Sequence, residues 1–345
     1  MDGDGRSPPW TDPWPTDPGG DPALPGDAPY SPEVLEEVRF LERPEGAELR
    51  LATYNIWKNS IFEDAEFQER FARVVRAVDA DVWALQEVWQ PTGEVAALFD
   101  ELLPLADGAG WQAVYAGARV TVSRFPIVLH HWETEPNCGT KTGLHLIDLP
   151  DEHFEVDLYV VHPHFTPFEG PAEDAARQCQ ADQIVSWLRR AVEPDGAVRL
   201  PHGTPIVIAG DLNMVGSLEP LRTLLEGDIA DEETFGPGHS PDWDGTAMVD
   251  AEPLHNGVGP DTWTWRSDRS RWGPGRLDFI IYTDSVANMV NSFVLNTVAL
   301  SAEALEAAGL GRLDVVLQSY GNGAYAFDHI PVVADFTFVS LELDD

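Results

Sequence analysis

Lysine is almost missing: Lys58 and Lys141 are the only two among 345 residues. Cysteine is as scarce, with Cys138 and Cys179 alone. Two thiols exclude a disulfide-rich scaffold and permit at most one bridge, which nothing in the sequence requires. No Cys/His spacing resembles a structural zinc site. Long hydrophobic runs are absent too, so no segment reads as a membrane-spanning helix. The opening residues, Met1-Asp2-Gly3-Asp4-Gly5, carry neither a basic stretch nor an apolar one. A secretory leader is therefore not expected, and the cytoplasm is the expected location.

Positive charge is the last scarcity. Lys+Arg number 21 against Asp+Glu 59, a formal net charge of −38. Residues 1–50 hold 12 acids and 4 bases, so most of the excess lies beyond them. Such a surface repels polyanions at long range and favours solubility. It also suits concentrated salt, where a Debye length of about 3 Å at molar ionic strength silences the repulsion. A halophilic or salt-exposed source is the resulting expectation. What is plentiful is apolar mass: 43% hydrophobic residues, 10% aromatics and 12 Trp. That supports a sizeable core and excludes a wholly disordered chain.

Residues 1–30 combine Pro, Gly and Asp with scattered Trp, and read as a flexible arm. Ser31-Pro32-Glu33 looks like a helix start, running to about Leu41. Phe67, Phe71, Val74, Val75 and Val78 recur at helical spacing, and a second long helix is expected over 171–191. Apolar strands are expected at 49–54, 82–85, 112–115, 120–123, 144–149, 156–161, 206–209, 279–282 and 332–338. Helices recurring between strands indicate an α/β sandwich of mixed sheets, with 31–345 as a single catalytic domain.

Six of these strands carry polar residues at one end. Asn55 follows the first, and Gln86-Glu87 the second. His162-Pro163-His164 and Gly210-Asp211-Leu212-Asn213 follow two more. Asp278 and Asp328-His329 precede the last two. In a mixed sheet, such ends share one rim, where catalytic groups collect. Any one cluster alone reads as a turn or a solvated surface group. Together they give an oxygen-rich set, Glu87, Asp211, Asp278 and Asp328 with Asn55 and Asn213. Hard divalent cations prefer such donors, and four carboxylates packed without a cation would repel. A Mg²⁺ or Mn²⁺ site that handles phosphate esters is the chemistry this implies.

These segments resemble the ordered motifs of the endonuclease/exonuclease/phosphatase superfamily, whose fold is deoxyribonuclease-I-like. They are Ala52-Thr53-Tyr54-Asn55-Ile56, Leu85-Gln86-Glu87-Val88, Val122-Ser123-Arg124-Phe125-Pro126-Ile127, Val161-His162-Pro163-His164-Phe165, Ile208-Ala209-Gly210-Asp211-Leu212-Asn213, Arg276-Leu277-Asp278-Phe279-Ile280 and Asp328-His329-Ile330-Pro331-Val332. The resemblance covers about residues 48–339 and implies a four-layer α/β/β/α sandwich of two mixed β-sheets. It implies Glu87 as principal metal ligand, with Asn55 and Asp328 beside the same Mg²⁺ or Mn²⁺. Asp211 would orient or deprotonate the attacking water, and Asn213 would bond that water or the phosphate. Asp278 would orient His329, which would bind phosphoryl oxygens or act as general acid–base. His164 matches the family histidine, with His162 as second choice. The implied step is in-line attack of water on a phosphorus ester, by an expected monomer.

Three positions depart from the family pattern: Phe327 replaces a Ser, Pro163 a Thr, and Trp89 an Arg common in nucleases that grip DNA. The core set is untouched. Phosphodiester or nucleic-acid hydrolysis is expected. A small-molecule or phospholipid phosphodiesterase, sphingomyelinase-like at Gln86-Glu87-Val88-Trp89, and a non-catalytic binding protein stand as alternatives. Candidate local cations are Arg119, Arg124, Lys141, Arg266, Arg269, Arg271 and Arg276. The Arg266–Arg276 segment, with Arg269, Arg271 and Trp272, is the expected substrate-gripping loop. An ordinary hairpin with exposed Arg is the competing reading.

Overall fold

A computed structural model describes residues 30–133, 137–139, 142–150, 157–193, 198–267, 270–315 and 327–339. Residues 1–29 of the expected arm at 1–30, with Lys141, Val156 and Arg269, lie outside the described residues.

In chain order the strands are β1 Leu49–Asn55, β2 Val82–Gln86, β3 Gln112–Tyr115, β4 Arg119–Ser123, β5 Ile127–Glu133, β6 Thr142–Ile147, β7 Leu158–His162, β8 Ile206–Asp211, β9 Val249–Asp250, β10 Leu254–His255, β11 Asp278–Tyr282, β12 Ala287–Val294 and β13 Val332–Phe338. The α-helices are α1 Pro32–Val38, α2 Ser60–Glu63, α3 Ala65–Val78, α4 Thr92–Leu102, α5 Pro171–Val192, α6 Glu219–Glu226, α7 Glu232–Phe235 and α8 Ala302–Ala308. Among the described residues the strands form two mixed sheets. One has the order β10-β12-β13-β1-β2-β4-β3, the other β5-β6-β7-β8-β11-β9. Helices cover the outer face of each, giving the expected four-layer α/β/β/α sandwich.

Strand alternation builds the layers. In β1, Leu49, Leu51 and Thr53 face the second sheet, while Tyr54 points outward and stacks on Phe71 of α3, centroids 6.2 Å apart. Trp83 of β2 joins Phe71 and Phe99 of α4 on the same outer face. Between the sheets, Phe336 meets Tyr282 edge-on at 5.2 Å. Burying each such ring contributes about 1.5–3 kcal/mol. On the far side, Trp187 of α5 donates to the Tyr159 hydroxyl at 2.7 Å. A buried, bidentate Arg50–Asp335 pair ties β1 to β13 at 2.6 and 2.8 Å.

Three differences from the expectations have physical causes. The 171–191 helix is present, yet Ala172 is exposed and Arg177, Gln180, Asp182 and Gln183 are buried. Its inner side is polar because loops, not only a sheet, pack there: Asp182 accepts from Ala230 N and Asp231 N, both at 3.0 Å. β5, β12, α4, α6 and α8 were not anticipated; α4 opens on Pro91 without a side-chain cap. The two cysteines pair as a disulfide, Cys138–Cys179, which joins the β5–β6 connection to α5.

Candidate active site

Four inward-facing rows end in a polar residue at the rim. Thr53 gives way to Asn55, Ala84 to Gln86, Val160 to His162 and Ala209 to Asp211, each two residues further along its strand. Period-two alternation keeps all four side chains pointing between the sheets. β11 runs the other way, and its first residue, Asp278, pairs directly with Asp211. β13 is antiparallel to β1, so His329, three residues before Val332, arrives at the same rim. Gly210 permits a close approach here: a Cβ would lie 2.2 Å from the Pro163 carbonyl oxygen. That contact seats His164 beside Asp211, and Phe165 N donates to Asp211 O at 2.9 Å.

One corner of the rim is a proton-handling set. His329 Nδ1 lies 2.7 Å from Asp278 Oδ2, and its Nε2 lies 3.8 Å from Asp211 Oδ2. Burial would depress the imidazole, but Asp278 and Asp211 outweigh it and lift His329 to about 10. Burial also lifts Asp211, to about 7; His329 pulls it back, Asp278 pushes it further, and the N–H of Asn213 and the Asn55 amide lower it. His164 Nε2 lies 3.5 Å from Asp211 Oδ2. Burial, then Arg119 and His329, hold that imidazole neutral, down to about 3. Asn213 sits at φ 46°, and its amide donates to Phe165 O at 3.1 Å.

The other corner holds Glu87, Asn55 and Asp328. Asn55 Nδ2 donates to Glu87 Oε1 at 3.3 Å and to Asp211 Oδ2 at 3.2 Å, linking the two corners. Glu87 lies at φ 60°, and the facing turn Trp57-Lys58-Asn59 has φ 51°, 52° and 62°. That turn sends Lys58 N to Glu87 Oε2 at 2.7 Å and Asn59 N to Glu87 O at 2.8 Å. Burial raises the Asp328 carboxyl, and Glu87 adds to the rise against the pull of His329. Asp328 Oδ1 is buried with no hydrogen-bond partner among the described residues. An orphaned carboxylate oxygen beside a second carboxylate fits a hard cation.

Among the described residues, the His/Cys/Asp/Glu group whose ligand atoms lie within 4.8 Å of one another is Asp211, Asp278 and His329. That group could also hold a cation, with His329 as one of its ligands.

Asn55, Glu87, His164, Asp211, Asn213, Asp278, Asp328 and His329 thus meet on one rim. His162 is set back in the core, between Gln86 Nε2 at 2.8 Å and Thr121 Oγ1 at 2.9 Å. Arg271 and Trp272 stack on each other, 4.4 Å from guanidinium carbon to ring centroid, in a loop that Trp265 and Gly275 close by mutual backbone bonds. Arg276 pairs with Asp250 at 2.8 Å, and Arg124 with Asp79 at 2.6 Å, so neither is a free cation. Thr264 escaped the sequence reading, and the contact of Trp265 with Asp328 was not expected. Thr264 Oγ1 donates to Asp278 Oδ2 at 2.6 Å and accepts from Leu277 N and Asp278 N. Trp265 Nε1 donates to Asp328 Oδ2 at 3.3 Å. The only signal was the Thr-Trp-Thr-Trp run at 262–265, which has no strand or helix period.

The sequence pattern of the endonuclease/exonuclease/phosphatase family matches residues 52–298, which is most of the chain. The chain belongs to that family. Its fold is similar to the human Nocturnin catalytic domain with bound sulfate, at TM-score 0.51 and 16% identity, covering 86% of this chain and 97% of that one. ANGEL2, a 2′,3′-cyclic phosphatase, was solved with adenosine-2′,3′-vanadate. It aligns at TM-score 0.57 and 15% identity, covering 86% and 97% of the two chains. A Bacteroides vulgatus endonuclease/exonuclease/phosphatase aligns at TM-score 0.52 and 16% identity, covering 84% and 99%. No curated protein matches the sequence.

Proposed function

We propose that this family member is a divalent-cation-dependent hydrolase of phosphate esters that uses direct attack by water, with phosphodiesters, nucleic acid included, as its substrates. The observation that carries the proposal is geometric: the His329 ring lies 2.7 Å from Asp278 Oδ2 and 3.8 Å from Asp211 Oδ2, on the rim that also holds Glu87 and Asp328. Asp211 is the base. Its Oδ1 is fixed by Asn213 N, and Oδ2 faces His164 and His329. A base with its pKa near the working pH is effective. His329, kept protonated by its two carboxylates, binds the phosphoryl oxygens and balances the developing charge. Asn55, Glu87 and Asp328 would hold Mg²⁺ or Mn²⁺, which supplies Lewis-acid charge at the leaving oxygen. Arg271 and Trp272 offer a cation and a ring to the rest of the substrate; Arg269 belongs to the same proposed grip.

The test uses bis-p-nitrophenyl phosphate and supercoiled plasmid, each with Mg²⁺, Mn²⁺ or EDTA. Cleavage of either that needs metal and is lost in Glu87→Gln and His329→Ala is the expected result. Turnover surviving both substitutions removes the assignment, and no turnover under any metal favours a binding protein. A second reading, a lipid head-group phosphodiesterase, is favoured by two exposed rings in the segments that follow Glu87 and His164, Trp89 and Phe168. Phosphocholine release from sphingomyelin vesicles decides it.

No helix among the described residues is long and apolar enough to cross a membrane. The Cys138–Cys179 disulfide favours an oxidising compartment over the expected cytoplasm. A monomer adapted to salt remains part of the proposal. Light scattering checks the first, and a melting temperature flat or falling in KCl would remove the second.

A further inference from the structure

Arg119 opens β4 and is only 3% exposed. Its Nε donates to Ala116 O at 2.8 Å and its Nη1 to His164 O at 3.3 Å. Both acceptors are neutral carbonyls. Among the described residues no carboxylate forms an ion pair with it, and Nη2 has no acceptor. The other buried arginines among the described residues are paired: Arg50 with Asp335, Arg70 with Glu66 and Arg177 with Asp174. Charges taken out of water are normally compensated. A guanidinium with no carboxylate partner among the described residues therefore asks for an anion.

The room for one is beside it. Arg119 lines a cavity of about 400 Å³ with Gly117, Gly139, His164, Thr166 and Pro167. Its walls are fixed. The Cys138–Cys179 disulfide and the Gln180 amide, which donates to Cys138 O at 2.9 Å and Thr166 Oγ1 at 2.8 Å, hold two sides. The tight Gly117-Ala118 turn, at φ 52° and 60°, holds the third. His164 connects this cavity to Asp211. A guanidinium edge matches the oxygens of a tetrahedral phosphate. The attraction acts at close range, where neither salt nor the distant acidic surface screens it much.

We propose that this cavity is a phosphate subsite, distinct from the reacting position, in which Arg119 holds a second, non-scissile phosphate of the substrate. Its role rests on the phosphoesterase reading; its existence does not, and the experiment separates the two. Inorganic phosphate is titrated calorimetrically into the whole protein in EDTA. Arg119→Met and Pro167→Glu are compared with wild type; the second leaves the buried arginine in place and puts a competing carboxylate at the exposed wall. Thermal melts confirm that both fold. Wild type should bind phosphate at one site, and both variants should bind it about tenfold or more weakly. No binding to wild type at millimolar phosphate, or equal affinity in both variants, overturns the proposal whatever the catalytic assays give.

The catalytic arm compares a thymidine dinucleotide with its 5′- and 3′-phosphorylated forms. One phosphorylated form should show a KM about tenfold lower, an advantage lost in both Arg119→Met and Pro167→Glu. Equal KM for all three, with phosphate still bound in EDTA, would assign the cavity to free phosphate and overturn the substrate role. Failure to cleave any of the three counts against the phosphoesterase reading, and the titration alone then decides the subsite.

Discussion

Two acidic corners share the rim, and they differ in how their charge is balanced. Around His329 the balance is internal: one imidazolium lies between Asp278 and Asp211. Around Glu87 and Asp328 it is not. Glu87 receives N–H groups from Lys58 and Asn55, and Asp328 the indole of Trp265. No Lys or Arg side chain among the described residues pairs with either. The first corner can bind and move protons with its own residues. The second lacks a compensating side-chain cation among the described residues, and under the proposed function a small hard cation would complete it.

The largest test of this division is His329→Ala. It should lower kcat by about 10²–10⁴-fold, while Mn²⁺ affinity by calorimetry changes less than about threefold, since the lost group is not a proposed ligand. Simultaneous loss of Mn²⁺ binding would merge the corners into one site. Glu87→Gln should lose turnover as well, but with Mn²⁺ binding weakened by about 10–100-fold. Thr264→Val is smaller. It strips the hydroxyl from Asp278 and leaves two backbone N–H groups unpaired. Its kcat should fall about tenfold, with Mn²⁺ affinity unchanged.

The pH profile sharpens the contrast further. Asp211 must be ionised to act as base, and its carboxyl is lifted to about 7. Accordingly kcat/KM should rise with pH up to that value and fall again as His329 loses its proton near 10. A profile flat from 5 to 9 would remove Asp211 from the role. The stability sign follows from the same shifts. A raised carboxyl means that ionising Asp211 destabilises the fold as pH climbs from the unfolded value, near 4, through 7. The raised imidazole of His329 stabilises below about 6.5, and that contribution is lost as pH rises through 10. Asp211→Asn should therefore melt about 2–6 °C higher than wild type at pH 8 in EDTA, the smallest of these effects.

Much of the rim was legible because a strand broadcasts its period. Asn55, Gln86 and Asp211 each stand at the end of a legible strand, so their place at a rim could be read from the sequence, while His162, the second-choice histidine, sits back in the core. What the spacing does not contain is register across strands. The Asp278–Asp211 pairing and the orphaned Asp328 oxygen needed the three-dimensional structure. Thr264 and Trp265 lie in an irregular segment with no period to betray them. Arg119 was read as a local cation, but its burial and its lack of a counter-ion depend on the hairpin tip at Gly117-Ala118. The helices at 92–102 and 302–308 were missed for a different reason. Both are short, and Gly93 and an Ala-Glu run dilute their apolar stripes.

The left-handed stretch Trp57-Lys58-Asn59 has a consequence for anyone seeking a sturdier version of this molecule. L-residues disfavour that conformation by about 1–2 kcal/mol each, so the chain forgoes ruggedness in order to aim one carboxylate. Selection for heat tolerance alone should drift toward glycine at Lys58, since a backbone N–H, not the ammonium, is what Glu87 receives there.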